Sequence, residues 1–130
     1  MNKKLVLLTI VLVVSVGLLS GCNESEDANK SDKNRLVGTW FSSYIYNGSI
    51  HNSTWILFSN GTLDIVESYE NETYSLSGNW YIFEGNLSFH ITKPTILSIT
   101  NEYILSDDSN LLTILTIETD ENEPVTFNKQ

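Results

Sequence analysis

The sequence predicts an all-β domain, an antiparallel up-and-down barrel of about eight strands over residues 35–130. Three observations carry this. Side chains alternate with period two, turn signals recur at short intervals, and no stretch of ten or more residues has a helical stripe. Tyr74, Leu76, Gly78, Trp80 and Ile82 alternate with Thr73, Ser75, Ser77, Asn79 and Tyr81, and Leu87, Phe89 and Ile91 alternate with Ser88, His90 and Thr92. Thr, Ile, Tyr, Trp and Phe dominate, the residues that fit a pleated surface.

The strands follow from the turns between them. A first strand is expected at 39–46, then a loop over 47–53. The dipeptide Asn60-Gly61 separates strands at 54–59 and 62–68 and is a strong hairpin signal. A strand at 73–83 ends in the turn Glu84-Gly85-Asn86, and 87–92 follows. Asp107-Asp108-Ser109-Asn110 turns between 99–106 and 111–119, and Glu121-Asn122-Glu123-Pro124 precedes the last strand, 125–129. Short connections make sequence neighbours antiparallel partners. A sandwich is the alternative. It would more often need a long crossover, and none is visible, whereas closure into a barrel removes the exposed edges.

The chain opens differently. Lys3 and Lys4 precede an uncharged apolar run from Leu5 to Leu19, then Ser20, Gly21 and Cys22. A basic start, a short apolar segment and a small-residue exit describe an export signal, a helix at 1–21. The run is shorter than the about 20 apolar residues that span a bilayer. A plain secretory signal is the other alternative. Residues 22–34 contain no large apolar side chain and read as a flexible acidic and polar tether. The only cysteine is Cys22, so no disulfide forms within the chain.

Leu19-Ser20-Gly21-Cys22 resembles a lipobox, the cleavage and lipidation signal of prokaryotic lipoproteins. The resemblance implies cleavage between Gly21 and Cys22, a lipid on the Cys22 thiol, and a domain anchored to the outer, extracytoplasmic face of the cell membrane. Cleavage removes two of seven basic residues and none of the sixteen acidic ones, leaving a formal charge of −11. That charge disfavours nucleic acid and anionic lipid headgroups as partners.

Seven Asn-x-Ser/Thr triplets occur, at Asn23, Asn29, Asn47, Asn52, Asn60, Asn71 and Asn86. In a host that glycosylates exported proteins these are acceptors. An N-glycosylated lipoprotein suits an archaeal envelope better than most bacterial ones.

Leu36-Val37-Gly38-Thr39-Trp40 resembles the Gly-x-Trp opening of lipocalins and related calycin barrels. The segments from Phe58 to Leu63, Gly78 to Ile82, Leu111 to Ile114 and Thr126 to Lys129 are similar in order and spacing to strands of small lipocalin-like lipoprotein domains. The resemblance implies a barrel plug made of Gly38, Trp40 and Lys129, with the lysine over the tryptophan ring, where lipocalins usually offer Arg. The long C-terminal helix of full lipocalins is missing, so a large ligand chamber is not expected.

Catalytic signals are few. His51 is expected in a loop and His90 on the polar face of its strand, which is no metal set. Asp107, Asp108 and Asn110 read as a turn rather than a calcium site. Glu67, Glu70, Glu84 and Glu118 read as a solvated strand face rather than the carboxylate pair of a glycosidase. No enzyme activity, metal or cofactor is expected. The aromatic residues Trp40, Tyr44, Trp55, Phe58, Tyr74, Trp80, Phe83, Phe89 and Tyr103 either fill the core or line a cavity. Tyr46, Tyr69 and Tyr81 suit contact with a partner or sugar. Two functions stay open: a barrel whose mouth binds a small apolar or amphipathic molecule, and a packed barrel that contacts an envelope protein or glycan through its outer face.

Overall fold

The computed structural model describes residues 32–117 and 119–130. Nine strands form one antiparallel sheet: β1 Gly38–Tyr46, β2 Ser49–Leu57, β3 Thr62–Tyr69, β4 Glu72–Phe83, β5 Asn86–Lys93, β6 Leu97–Asn101, β7 Tyr103–Leu105, β8 Leu111–Ile114 and β9 Val125–Lys129. Their order is β6-β5-β4-β3-β2-β1-β9-β8-β7, an up-and-down meander in which the first strand pairs with the last. The two edges, β6 and β7, are separated in sequence by Glu102 alone. One chain segment therefore pairs with β5 by its first part and with β8 by its second, and the barrel is nearly closed. The single strand expected at 99–106 is this segment, broken at Glu102, which is why nine strands stand where about eight were expected.

The period-two signal becomes layers across the sheet. The register sets Trp40 opposite Trp55, Trp55 opposite Ile65, and Ile65 opposite Leu76. These inward residues meet Leu57, Leu63, Trp80, Leu87, Phe89, Ile91, Leu112, Ile114, Val125 and Phe127 in one core. Trp55 lies 4.2 Å from the Phe127 ring and stands edge-on to Phe89 at 4.9 Å, centroid to centroid. Phe58 and Phe83, expected to help fill the core or line a cavity, are exposed, because they sit at the ends of their strands where the wall stops. Gly78 sits at a β-bulge in β4. A Cβ there would stand 2.0 Å from the His90 carbonyl oxygen, so only glycine lets the two backbones approach this closely.

Three boundaries differ from the expectation. The segment 47–53 is not a loop. Asn47 and Gly48 alone make the turn, with φ of +50° and +75°, and β2 begins at Ser49. Strand β8 stops at Ile114, well before residue 119. Residues 32–36 form a helical turn instead of belonging to the tether or to open chain. Leu36 is fully buried in the core, and the Asp32 carboxylate accepts hydrogen bonds from the Tyr103 hydroxyl (2.8 Å) and from Arg35 Nη1 (3.0 Å). The expected signal over 1–21, Cys22, Asn23, Asn29 and Glu118 lie outside the described residues. No helix among the described residues is long and apolar enough to cross a membrane.

Candidate functional site

The closed end of the barrel is built around Trp40. This residue is fully buried, and its indole Nε1 donates to the Leu36 carbonyl at 2.8 Å. Lys129 is its cross-strand neighbour on β9. The Lys129 ammonium stands 5.1 Å from the Trp40 ring centroid and donates to the Arg35 carbonyl at 3.0 Å. Gly38 has φ +141°, and a Cβ there would meet Lys129 Cε at 2.8 Å, so the missing side chain is the channel in which the lysine stem lies. Arg35 reaches across to the β7–β8 turn, donating to Ser109 Oγ and to the Ser106 carbonyl. Burial first, then the Asp32 hydrogen bond, raises the Tyr103 pKa. This end is tied by hydrogen bonds from Trp40, Lys129, Arg35 and Tyr103.

The opposite end has different chemistry. The inward face of β1–β4 continues past the apolar core, but its residues turn polar and aromatic. Register carries Tyr44 opposite His51, Ser42 opposite Ser53, Ser53 opposite Glu67, and Glu67 opposite Tyr74. Rings form a ladder across the strands. Tyr44 stacks on His51 at 5.5 Å, His51 on Tyr69 at 4.7 Å and Tyr69 on Tyr74 at 5.6 Å, with interplanar angles of 15°, 15° and 21°. Tyr46 meets His51 edge-on at 5.9 Å.

Glu67 lies at the base of this ladder. Its Oε1 accepts from Ser53 Oγ at 2.7 Å. Burial raises the Glu67 pKa, against the lowering effects of the Ser53 hydrogen bond and of His51. Burial, and then the Glu67 charge, pushes Tyr44 up to about 12. At the rim, the Tyr74 hydroxyl donates to the exposed Glu72 carboxylate, which raises the tyrosine's pKa. One layer deeper, Trp55 Nε1 is buried with no hydrogen-bond partner. A cleft of ≈ 280 Å³ runs beside this wall, between Ser42–Ile45 and residues 119–126. It forms because β9 pairs with β1 at Trp40 and Phe41 only, and above them β1 is met by single contacts, Ser42 Oγ to the Thr126 carbonyl and the Asp120 amide to the Ile45 carbonyl. Asp120 closes its far end by accepting from the backbone amides of Asn47 (2.7 Å) and Gly48 (2.8 Å).

Sequence reasoning reached these residues unevenly. Tyr44 and Tyr74 stood among the core or cavity aromatics, and Tyr46 and Tyr69 among the contact residues. His51 was expected in a loop, and Glu67 on a solvated face. The structure sets both on the inner wall instead: β2 is longer than its apolar pattern and carries His51, and Glu67 shares the inward parity of Leu63 and Ile65 on β3. The signal was there in parity: Leu57, Trp55, Ser53 and His51 are every second residue, and Asn47-Gly48 is itself a hairpin pair.

Other expected residues stay apart. His90 faces outward from β5, with Nδ1 3.3 Å from Ser98 Oγ, far along the register from His51. Tyr81 is exposed on the outer face of β4. Glu70 and Glu84 occupy separate turns, each with positive φ. Asp108 Oδ1 accepts from Ser106 Oγ and the Asn110 amide, which lower its pKa and make it a turn residue. No group of three or more His, Cys, Asp or Glu side chains converges among the described residues. Of the acceptor asparagines, Asn47, Asn52, Asn60 and Asn71 are exposed and Asn86 is half-buried. Asn52 lies within β2 rather than in a loop. Comparison of the chain with protein-family models, with curated proteins and with solved structures returned no match.

Proposed function

We propose that this chain is a non-enzymatic binding module of the cell envelope, anchored through a lipid on Cys22, that holds a small amphipathic ligand at the barrel mouth. The observation that carries the reading is the continuous inward-facing ladder Tyr44–His51–Tyr69–Tyr74 over Glu67 and Ser53, set on a core that side chains already fill. A polar and aromatic wall on a rigid barrel is the usual character of a ligand-contact surface, and ligand sites favour barrel mouths. The filled core argues for a ligand held at the rim rather than swallowed.

The approach of Lys129 to Trp40 across Gly38 supports a lipocalin-like kinship. The leader pattern ending in Gly21-Cys22 supports the address, and the acidic mature chain supports an extracytoplasmic life without nucleic acid. The exposure of Asn47, Asn52, Asn60 and Asn71 supports their use as glycan acceptors in a host that glycosylates exported proteins, and Asn86, half-buried, is the least accessible of the five. A second reading has its own support. The outward cross-strand pair Ile45 and Ile50, with Tyr81 and Phe83, exposes apolar surface suited to an envelope protein or glycan.

Native mass spectrometry of the chain extracted from its own membrane separates the two. A co-purifying small molecule, lost in a Tyr44→Ala/Tyr69→Ala variant, supports the mouth. A stable protein complex that survives those substitutions supports the outer face. Metabolic lipid labelling that is unchanged by Cys22→Ser would overturn the anchor.

A further inference from the structure

We infer that the mouth wall is a site for a primary ammonium group carried on an apolar body. This inference rests on the mouth-binding reading above and specifies its ligand. It starts from Glu67, a half-buried carboxylate in which Oε1 has the Ser53 hydroxyl as donor. Among the described residues no Lys or Arg pairs with it. The ion pair present there is Arg35–Asp32, at the other end of the barrel. Lys33 and Lys129 also belong to that closed end, near Trp80 and Trp40, and Lys93 is exposed at the end of β5. The His51 imidazole is the titratable group beside it, and its charge acts to lower the Glu67 pKa without offsetting burial. A half-buried carboxylate with no permanent cation beside it is costly, and a bound cation would relieve that cost.

The ring geometry chooses the kind of cation. Both faces of His51 are covered, by Tyr44 on one side and Tyr69 on the other, and Tyr69 also stacks on Tyr74. A quaternary ammonium needs open ring faces. Here the faces are largely spent on one another, so the wall offers edges and oxygens. A primary ammonium carries three N–H donors, which suit the Glu67 carboxylate and phenolic oxygens. Glu70 and Glu72 at the rim, and a chain of formal net charge −9, favour a cation over an anion on approach. The half-exposed rings of Tyr46 and Tyr74 at the rim are the surface for the apolar body.

The test uses the full chain in neutral maltoside micelles and three probes of one shape: 2-phenylethylamine, 2-phenylethanol and 3-phenylpropionate, titrated calorimetrically. The amine is expected to bind about tenfold or more tighter than the alcohol, with the carboxylate weakest. Glu67→Gln should erase the preference without lowering the melting temperature, and Glu84→Gln, at the far turn, should leave it intact. A preference that survives Glu67→Gln overturns the inference. Equal binding of amine and alcohol overturns it too, while the mouth reading stands. If neither probe binds, the ammonium assignment falls, and the mouth reading is decided by the co-purification experiment.

Discussion

Single residues at the two ends of this barrel solve opposite problems. At the closed end, the long polar side chains around Trp40 are paired: its indole donates to Leu36, Lys129 to Arg35, and Arg35 to Ser106 and Ser109. At the mouth, burial disfavours the charged form of Glu67 and raises its pKa. The folded Glu67 therefore holds its proton to higher pH than the unfolded one. Over the window from its ordinary value up to its raised value, stability must fall as pH rises. Melting temperatures measured across that window should show this slope, and Glu67→Gln should flatten it. Gly78 is the most demanding backbone position, since a Cβ would overlap the His90 carbonyl. Gly78→Ala should destabilise by about 1–3 kcal/mol, as overpacking does in tight interiors, read by chemical denaturation. The sequence displayed Gly78 as a member of an alternating strand. It did not display the bulge, which arises only when β5 comes alongside.

At the scale of elements, the decisive one is β2. Its lower part was legible because Trp55 and Leu57 point inward and are apolar. Its upper part was not, because Ser53 and His51 point inward and are polar, so the hydrophobic alternation that marks a strand disappears where the polar and aromatic wall begins. Strand β3 was legible nearly to its end, expected at 62–68 and observed at Thr62–Tyr69, but the inward turn of Glu67 and Tyr69 after Leu63 and Ile65 was not. The stretch after Ile114, expected as strand to residue 119, also escaped the pattern. It reads as the continuation of β8, but the strand ends at Ile114; the Leu115 amide then donates to the Glu102 carbonyl, Ile117 packs against the core, and Asp120 accepts from the amides of the Asn47-Gly48 turn. Asp120→Ala should cost about 0.5–1.5 kcal/mol or less, because the contact is exposed. Its clearer signature is faster hydrogen exchange at the Asn47 and Gly48 amides, with the core amides of β3 and β4 unchanged.

For the whole molecule, closure does what no single pairing can. Strand β1 meets β9, and the segment through Glu102 joins the two remaining edges, so one core is sealed without a disulfide. The strong negative charge works against this compact state through self-repulsion. Raising ionic strength from a few millimolar to about 0.15 M should therefore raise the melting temperature, since screening then acts within about 8 Å. A melting temperature that falls with salt would show that attractive pairs outweigh the repulsion. The sequence by itself determined the all-β class, the hairpin order and most strand positions, because side-chain parity and turn chemistry are local properties. The grouping of Gly38, Trp40 and Lys129 came from the resemblance to lipocalins rather than from any local property. Only the tertiary structure decided that Tyr44, His51, Ser53, Glu67 and Tyr74 share one wall, and that the terminal turn at 32–36 belongs to the folded body. Those facts depend on register between strands and on which face curls inward, and neither is set until the sheet closes.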